Sequence, residues 1–281
     1  MSNTDLSPKI IIFDTTLRDG EMTSGVSFDV EQKIAIAKLL EAMGVDVIEV
    51  GYPGIHQKDF DEIFMVSKQI KSATICGLAS TKPDEVVSAA LALKPAVRGR
   101  IHLYTSVNLK ERTLSREERT LEAIRDGVAL ARQYCDDVEW SAFDAPRSDF
   151  DFLCQSIEVA IASGATTISI PDSLGLSSTA EFSTLIERIV QRIPNCDRIT
   201  LSVHCHDDLG LAVNNSIAAL QYGVRQIECS INGLGARQGN ADLGTIVREV
   251  LQHPDYQIDI DTTLISRASE LVTQLTRIPL P

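Results

Sequence analysis

Eight short runs rich in β-branched and apolar residues recur along this chain, at 10–17, 45–51, 74–79, 100–106, 138–143, 167–171, 199–206 and 226–232. Each has the length of a strand, and the segments between them keep apolar residues at helical spacing. Those helical segments run over 29–43, 58–70, 82–93, 115–134, 150–163, 179–192 and 211–222, with a last helical region at 261–277. A helix between successive strands forces parallel pairing. Eight such repeats, cut by no Pro/Ser-rich linker or charge run, predict an α/β fold: a (β/α)8 TIM barrel formed as a single domain over 1–281. An open doubly wound sheet is the competitor, but it would carry a Gly-rich phosphate turn after its first strand, and Thr16-Leu17-Arg18-Asp19-Gly20 stands there instead. Gly44, Gly164 and Gly223 each end a helix before the next strand, as C-capping glycines do.

Length and composition agree with one large core: 281 residues, 44% of them hydrophobic. A net charge of −13 argues against a nucleic-acid or anionic-membrane partner, which would need clustered positive potential. The first nine residues are polar with no apolar h-region, and no stretch is uncharged long enough to span a bilayer, so a soluble cytoplasmic protein is expected. Six cysteines with no C-x-x-C pair are expected to be buried, reduced thiols.

In a barrel the chemistry gathers at the C-terminal ends of the strands. The seventh run ends in His204-Cys205-His206-Asp207-Asp208. Alternation along a strand puts His204 and His206 on one face and turns Cys205 away into packing. An isolated H-x-H is more often a hydrogen-bonded pair in a polar loop. Here a second charged cluster, Arg18-Asp19, closes the first run, so Asp19, His204 and His206 are expected to hold a divalent ion, Mg2+, Mn2+ or Zn2+, with positions left for water or substrate. Arg18 beside them would stabilise an oxyanion. The same rim collects Glu49, His102, Tyr104, Ser141, Asp144, Asp172, Ser173 and Asn232 as catalytic or substrate-binding candidates.

These residues fall into recognisable motifs. The opening 14–21 (DTTLRDGE) with 25–28 (GVSF) resembles the signature of the 2-isopropylmalate synthase, citramalate synthase and homocitrate synthase family. Similar segments follow in family order at 47–53 (VIEVGYP), 75–79 (ICGLA), 138–141 (VEWS), 170–173 (IPDS), 204–207 (HCHD), 231–235 (INGLG) and 239–241 (GNA). The resemblance implies a barrel that condenses acetyl-CoA with a 2-oxo acid on a divalent metal, within a superfamily that also holds hydroxymethylglutaryl-CoA lyase. Carried over position by position, it makes Asp19, His204 and His206 ligands and Asn240 a further ligand or close neighbour of them. Arg18 would polarise the 2-oxo carbonyl, Ser173 would bind the oxo-acid carboxylate, and Glu49, His102 and Asp172 would handle protons or hydrogen bonds. A homodimer is the family's default.

Four positions depart from the pattern: Met22 replaces Gln, Ser80 replaces Arg, and Phe143 and Ala236 each replace Glu. Phe143 makes the pocket less polar and is expected to suit a more apolar or larger substrate. The chain stops at Pro281, where the longer synthases continue into an extension that supplies a His, so Glu49, His102 or a partner chain is expected to provide the base. The lyase direction on the same site is the runner-up, although the loop 233–240 lacks the Cys of that branch. A catalytically impaired regulatory relative is the third reading.

Overall fold

The structure, a computed structural model, describes residues 7–110, 112–194 and 196–278; the polar start over 1–6 and the terminal Pro281 lie outside the described residues. Eight parallel strands close into a barrel: β1 (Ile11–Asp14), β2 (Val47–Gly51), β3 (Thr74–Ser80), β4 (Gly99–Ser106), β5 (Val138–Phe143), β6 (Thr167–Asp172), β7 (Thr200–Cys205) and β8 (Gln226–Cys229). β1 closes the ring on β8, with Ile11 opposite Gln226 and Asp14 opposite Cys229. Between and after the strands run α1 (Val30–Met43), α2 (Gln57–Gln69), α3 (Pro83–Ala92), α4 (Leu114–Arg132), α5 (Phe150–Ala162), α6 (Thr179–Arg192), α7 (Ala212–Ala219), α8 (Leu243–Leu251) and α9 (Ile265–Thr276). The expected (β/α)8 barrel is therefore the fold observed.

Local chemistry explains the boundaries. Capping boxes start α1 (Asp29 with Gln32) and α6 (Ser178 with Glu181), each satisfying two backbone donors that a helix start leaves open. Gly44 ends α1 in the left-handed region at φ 92°, where a Cβ would lie 2.1 Å from the Asp259 carbonyl oxygen. α8 was not expected from the sequence. β1 and β8 are shorter than expected, because the chain leaves the sheet for 3₁₀ turns at Asp19–Met22 and Ile231–Gly233.

Period two along each strand sorts side chains into two environments. Outward residues such as Ile12, Ile48, Leu103, Trp140, Ile168 and Val203 join the helices in the main apolar core. Inside the barrel the apolar content is small: Phe13, Val47 and Cys76, with Ile11 against them. The rest of the interior is polar and buried, with Arg100, Glu139, Ser169, Ser202, Gln226 and Glu228 below the rim. Barrels are usually filled by branched apolar side chains, so this interior is committed to holding polar groups in place. Cys205 faces outward into the apolar core, as alternation requires. No helix among the described residues is long and apolar enough to cross a membrane.

Candidate metal centre and active site

β7 presents His204 and His206 to the barrel mouth with ring centroids 5.0 Å apart. The chain turning out of β1 brings Asp19 to them, and one donor atom from each of the three lies within 4.8 Å of the others. Hydrogen bonds decide which ring nitrogens point inward. His204 Nδ1 is 2.7 Å from the Glu228 carboxylate and His206 Nδ1 is 3.2 Å from the Gly239 carbonyl oxygen, so both donate from Nδ1 and leave Nε2 toward the centre. Asn240 donates from Nδ2 to Asp19 Oδ2 (2.7 Å) and to the Leu234 carbonyl oxygen (2.9 Å), which turns its Oδ1 to within 3.0 Å of His204 Nε2. Two acceptors facing each other across that distance call for a proton or a cation between them.

The charges around the two rings make the same demand for positive charge. Burial disfavours the charged form of His204, but Glu228 and Asp19 outweigh it and raise its pKa. Burial and the neighbouring His204 push His206 down to about 4, so at neutral pH its Nε2 keeps a free lone pair. A carboxylate, two imidazole nitrogens and an amide oxygen converging on one point fit a divalent ion.

Arg18 joins this cluster to a second one. Its Nε donates to Glu49 Oε2 at 2.6 Å and its Nη1 to Asp19 Oδ1 at 2.8 Å. The other Glu49 oxygen meets His102 Nδ1 at 2.8 Å, and His102 Nε2 lies 2.7 Å from Ser141 Oγ. Burial opposes ionisation of Glu49, yet Arg18 and His102 hold its carboxyl well below the usual range. Burial likewise opposes a charged His102, but Glu139 and Glu49 raise it to about 9. Protonated at neutral pH, His102 donates from both nitrogens, which leaves the Ser141 hydroxyl proton for the cavity. Ser173 is prepared in the same way: its Oγ accepts the Asp144 backbone N–H at 2.9 Å and keeps its own proton to donate.

These groups open onto a cavity of about 1000 Å³ whose walls include Arg18, His102, Tyr104, Ser141 and Ser173. Glu49 and Asn240 sit behind the wall as the partners of Arg18, His102, Asp19 and His204. Asp144 and Asp172 are rim residues that shape loops: Asp144 binds Asn108 and Arg147, and Asp172 accepts the Ser177 backbone N–H at 2.9 Å. Asn232, expected at the pocket, is not there. β8 ends at Cys229, and Asn232, in the left-handed region at φ 58°, points to α9, where it bonds Ser269 and Thr273.

Beneath the ligands lies a polar floor that no sequence motif announces. Glu228 takes His204 Nδ1 and Ser202 Oγ, while Gln226 bridges Ser202 to Glu139, and Arg100 pairs with Glu139 and Asp137. The signal was present in the alternation: Gln226 and Glu228 are two apart, as are Arg100 and His102, and Glu139 and Ser141.

Comparison with known proteins agrees with this architecture. The HMGL-like family model matches residues 9–272. The 2-isopropylmalate synthase of Methylorubrum populi is 44% identical across 99% of this chain, and that of Dechloromonas aromatica is 44% identical across 96%. The chain spans about half the length of these curated relatives, 55% and 54% respectively. Among solved structures, the HMG-CoA lyase of Bacillus subtilis matches with TM-score 0.80 at 22% identity, over 97% of this chain and 95% of that one. An HMG-CoA lyase from Acinetobacter baumannii, in complex with coenzyme A and 3-methylmalate, matches with TM-score 0.81 at 18% identity, over 100% of this chain and 95% of that one. At such identities the structural likeness speaks for the fold, while the sequence matches carry the kinship: the chain belongs to the HMGL-like family.

Proposed function

We propose that the barrel condenses acetyl-CoA, or a related acyl-CoA, with a 2-oxo acid to give a 2-substituted malate, as a divalent-metal-dependent acyltransferase. The observation that carries the reading is the convergence of Asp19, His204 and His206 donors at a cavity mouth where Arg18 bridges Asp19 and Glu49. The 44% identity to 2-isopropylmalate synthases supports the synthase direction, in amino-acid biosynthesis, over cleavage. Against the lyase alternative, the loop 233–240 carries no Cys.

In the reaction a carbon-carbon bond forms between the thioester methyl carbon and the oxo-acid carbonyl carbon. The methyl group gives up a proton, the carbonyl oxygen gains one, and water cleaves the thioester to release the thiol and a second carboxylate. No oxidant or reductant enters. A divalent ion held by Asp19, His204, His206 and Asn240 supplies carbonyl polarisation when bound. Arg18, locked by two carboxylates, offers a fixed cation to negative charge growing on the carbonyl oxygen, with little reorganisation. Ser173 donates to the oxo-acid carboxylate, and protonated His102 passes a proton toward the cavity through Ser141. Residues 1–281 act here as one catalytic barrel, and a cytoplasmic homodimer completes the reading.

Thiol release from acetyl-CoA, followed with a chromogenic disulfide across a panel of 2-oxo acids, tests it. Release should require the oxo acid together with Mg2+, Mn2+ or Zn2+, and EDTA should abolish it. Cleavage of hydroxyacyl-CoA substrates with no such release would replace this reading by the lyase one. His204→Ala and His206→Ala should each lose bound metal, and unchanged metal content would remove them as ligands.

A further inference from the structure

The cavity has two chemically opposite arcs. Asp19, His204 and His206 stand on the β1, β7 and β8 side, whereas β3, β4 and β5 across the barrel present Leu78, Tyr104 and Phe143 to the same cavity. Period two along β4 and β5 places Tyr104 above His102 and Phe143 above Ser141, so the proton-handling layer lies beneath an aromatic one.

The rings of that layer form a ladder. Tyr52 meets Tyr104 edge to face at 6.0 Å and 87°, and Tyr104 meets Phe143 at 6.3 Å and 62°. Their polar ends are tied together: the two tyrosine hydroxyls are 3.2 Å apart, and Tyr52 donates to Glu85. Glu85 in turn receives the Ser80 backbone N–H at 3.0 Å and Lys82 at 3.0 Å. The ladder therefore ends at Phe143, which has no polar atom, is 45% exposed and forms part of the cavity wall. Edge-to-face packing extends naturally by one further ring.

We propose that the 2-oxo acid used by this protein carries an aryl side chain, seated against Phe143, Tyr104 and Leu78 while its carboxylate and carbonyl lie at the opposite arc. The proposal rests on the condensation reading above and names its substrate class. A methyl or isopropyl side chain brings no ring to the edge-to-face ladder. An acidic side chain would find the lysine that lines the cavity, Lys58, already paired with Glu21 at 3.6 Å and Glu62 at 3.4 Å.

The test is calorimetric binding of 3-phenyl-2-oxopropanoate, 3-methyl-2-oxobutanoate and 2-oxoglutarate to the metal-loaded protein, followed by thiol-release kinetics with the same acids. The aryl acid should bind about tenfold more tightly than the branched one, the scale of one well-placed apolar contact in a pocket. Phe143→Ala should erase that preference, raising Kd for the aryl acid about tenfold and for the branched acid by less than about twofold. Phe143→Leu, which keeps apolar bulk without a ring, should fall between. Equal or tighter binding of the branched acid overturns the proposal, as does a Phe143→Ala variant, with native circular dichroism and metal content, that weakens both acids alike. Selective aryl binding without thiol release from any acid would sink the condensation reading and leave the preference standing. Turnover of the branched acid at higher kcat/KM than the aryl one would do the reverse.

Discussion

Glu228 decides where the His204 lone pair points, since it takes the Nδ1 proton at 2.7 Å and leaves Nε2 for the centre. Removing such a partner usually costs a metal site about 10–100-fold in affinity. Glu228→Ala should therefore weaken metal binding by that order, measured by competition with a chromogenic chelator, while Glu228→Gln, whose amide oxygen can still accept from Nδ1, should lose less. Equal affinities in all three proteins would show that the contact does not position the ligand. The two histidines were legible in the sequence because an H-x-H on a strand shares one face. Glu228 was not, because its place opposite His204 is set by the β7–β8 register, which no local pattern encodes. Asn232 was misplaced for a related reason: alternation holds only while the strand lasts, and β8 ends three residues before it.

At the scale of elements, the loop after β8 shapes the ligand cluster through its backbone. Gly239 lies in the left-handed region at φ 101°, where a Cβ would meet the Gly233 carbonyl oxygen at 2.0 Å. Its own carbonyl oxygen accepts from His206 Nδ1, and the next residue is Asn240. Gly239→Ala should destabilise the fold by roughly 1–3 kcal/mol and also weaken metal binding, because the loop must move. Gly44→Ala carries similar strain at the end of α1 and should lower the melting temperature without changing metal affinity. A Gly239→Ala protein that binds metal as tightly as the Gly44→Ala control would show that the loop is not part of the site. The strand and helix alternation was readable because eight repeats reinforce one another. α8 was missed although its pattern is clear, Asp242 capping the Thr245 N–H ahead of Leu243, Ile246, Val247 and Val250 at helical spacing.

For the whole molecule, a polar barrel interior makes stability depend on pH. The folded state raises His102 to about 9 from the ordinary 6.5, as Glu139 and Glu49 overcome the burial that opposes its charge. A group raised on folding contributes fully below its unfolded value, so the His102 contribution is complete below about 6.5 and fades as pH rises through about 9. The difference between those values sets its upper bound at roughly 3 kcal/mol. Glu49 works in the opposite direction: its depressed pKa contributes above the ordinary carboxylate value and is lost as pH falls. His204 is raised as well, so the His102 share must be isolated by difference. Denaturant unfolding of the metal-free protein from pH 6 to 10, beside His102→Gln, does this. The native chain should lose up to ~3 kcal/mol more than the variant across that interval, with most of the change between 6.5 and 9. Parallel curves would mean that His102 is not held charged by the carboxylates around it, and that the proton assigned to the Ser141 side of the cavity has to come from elsewhere.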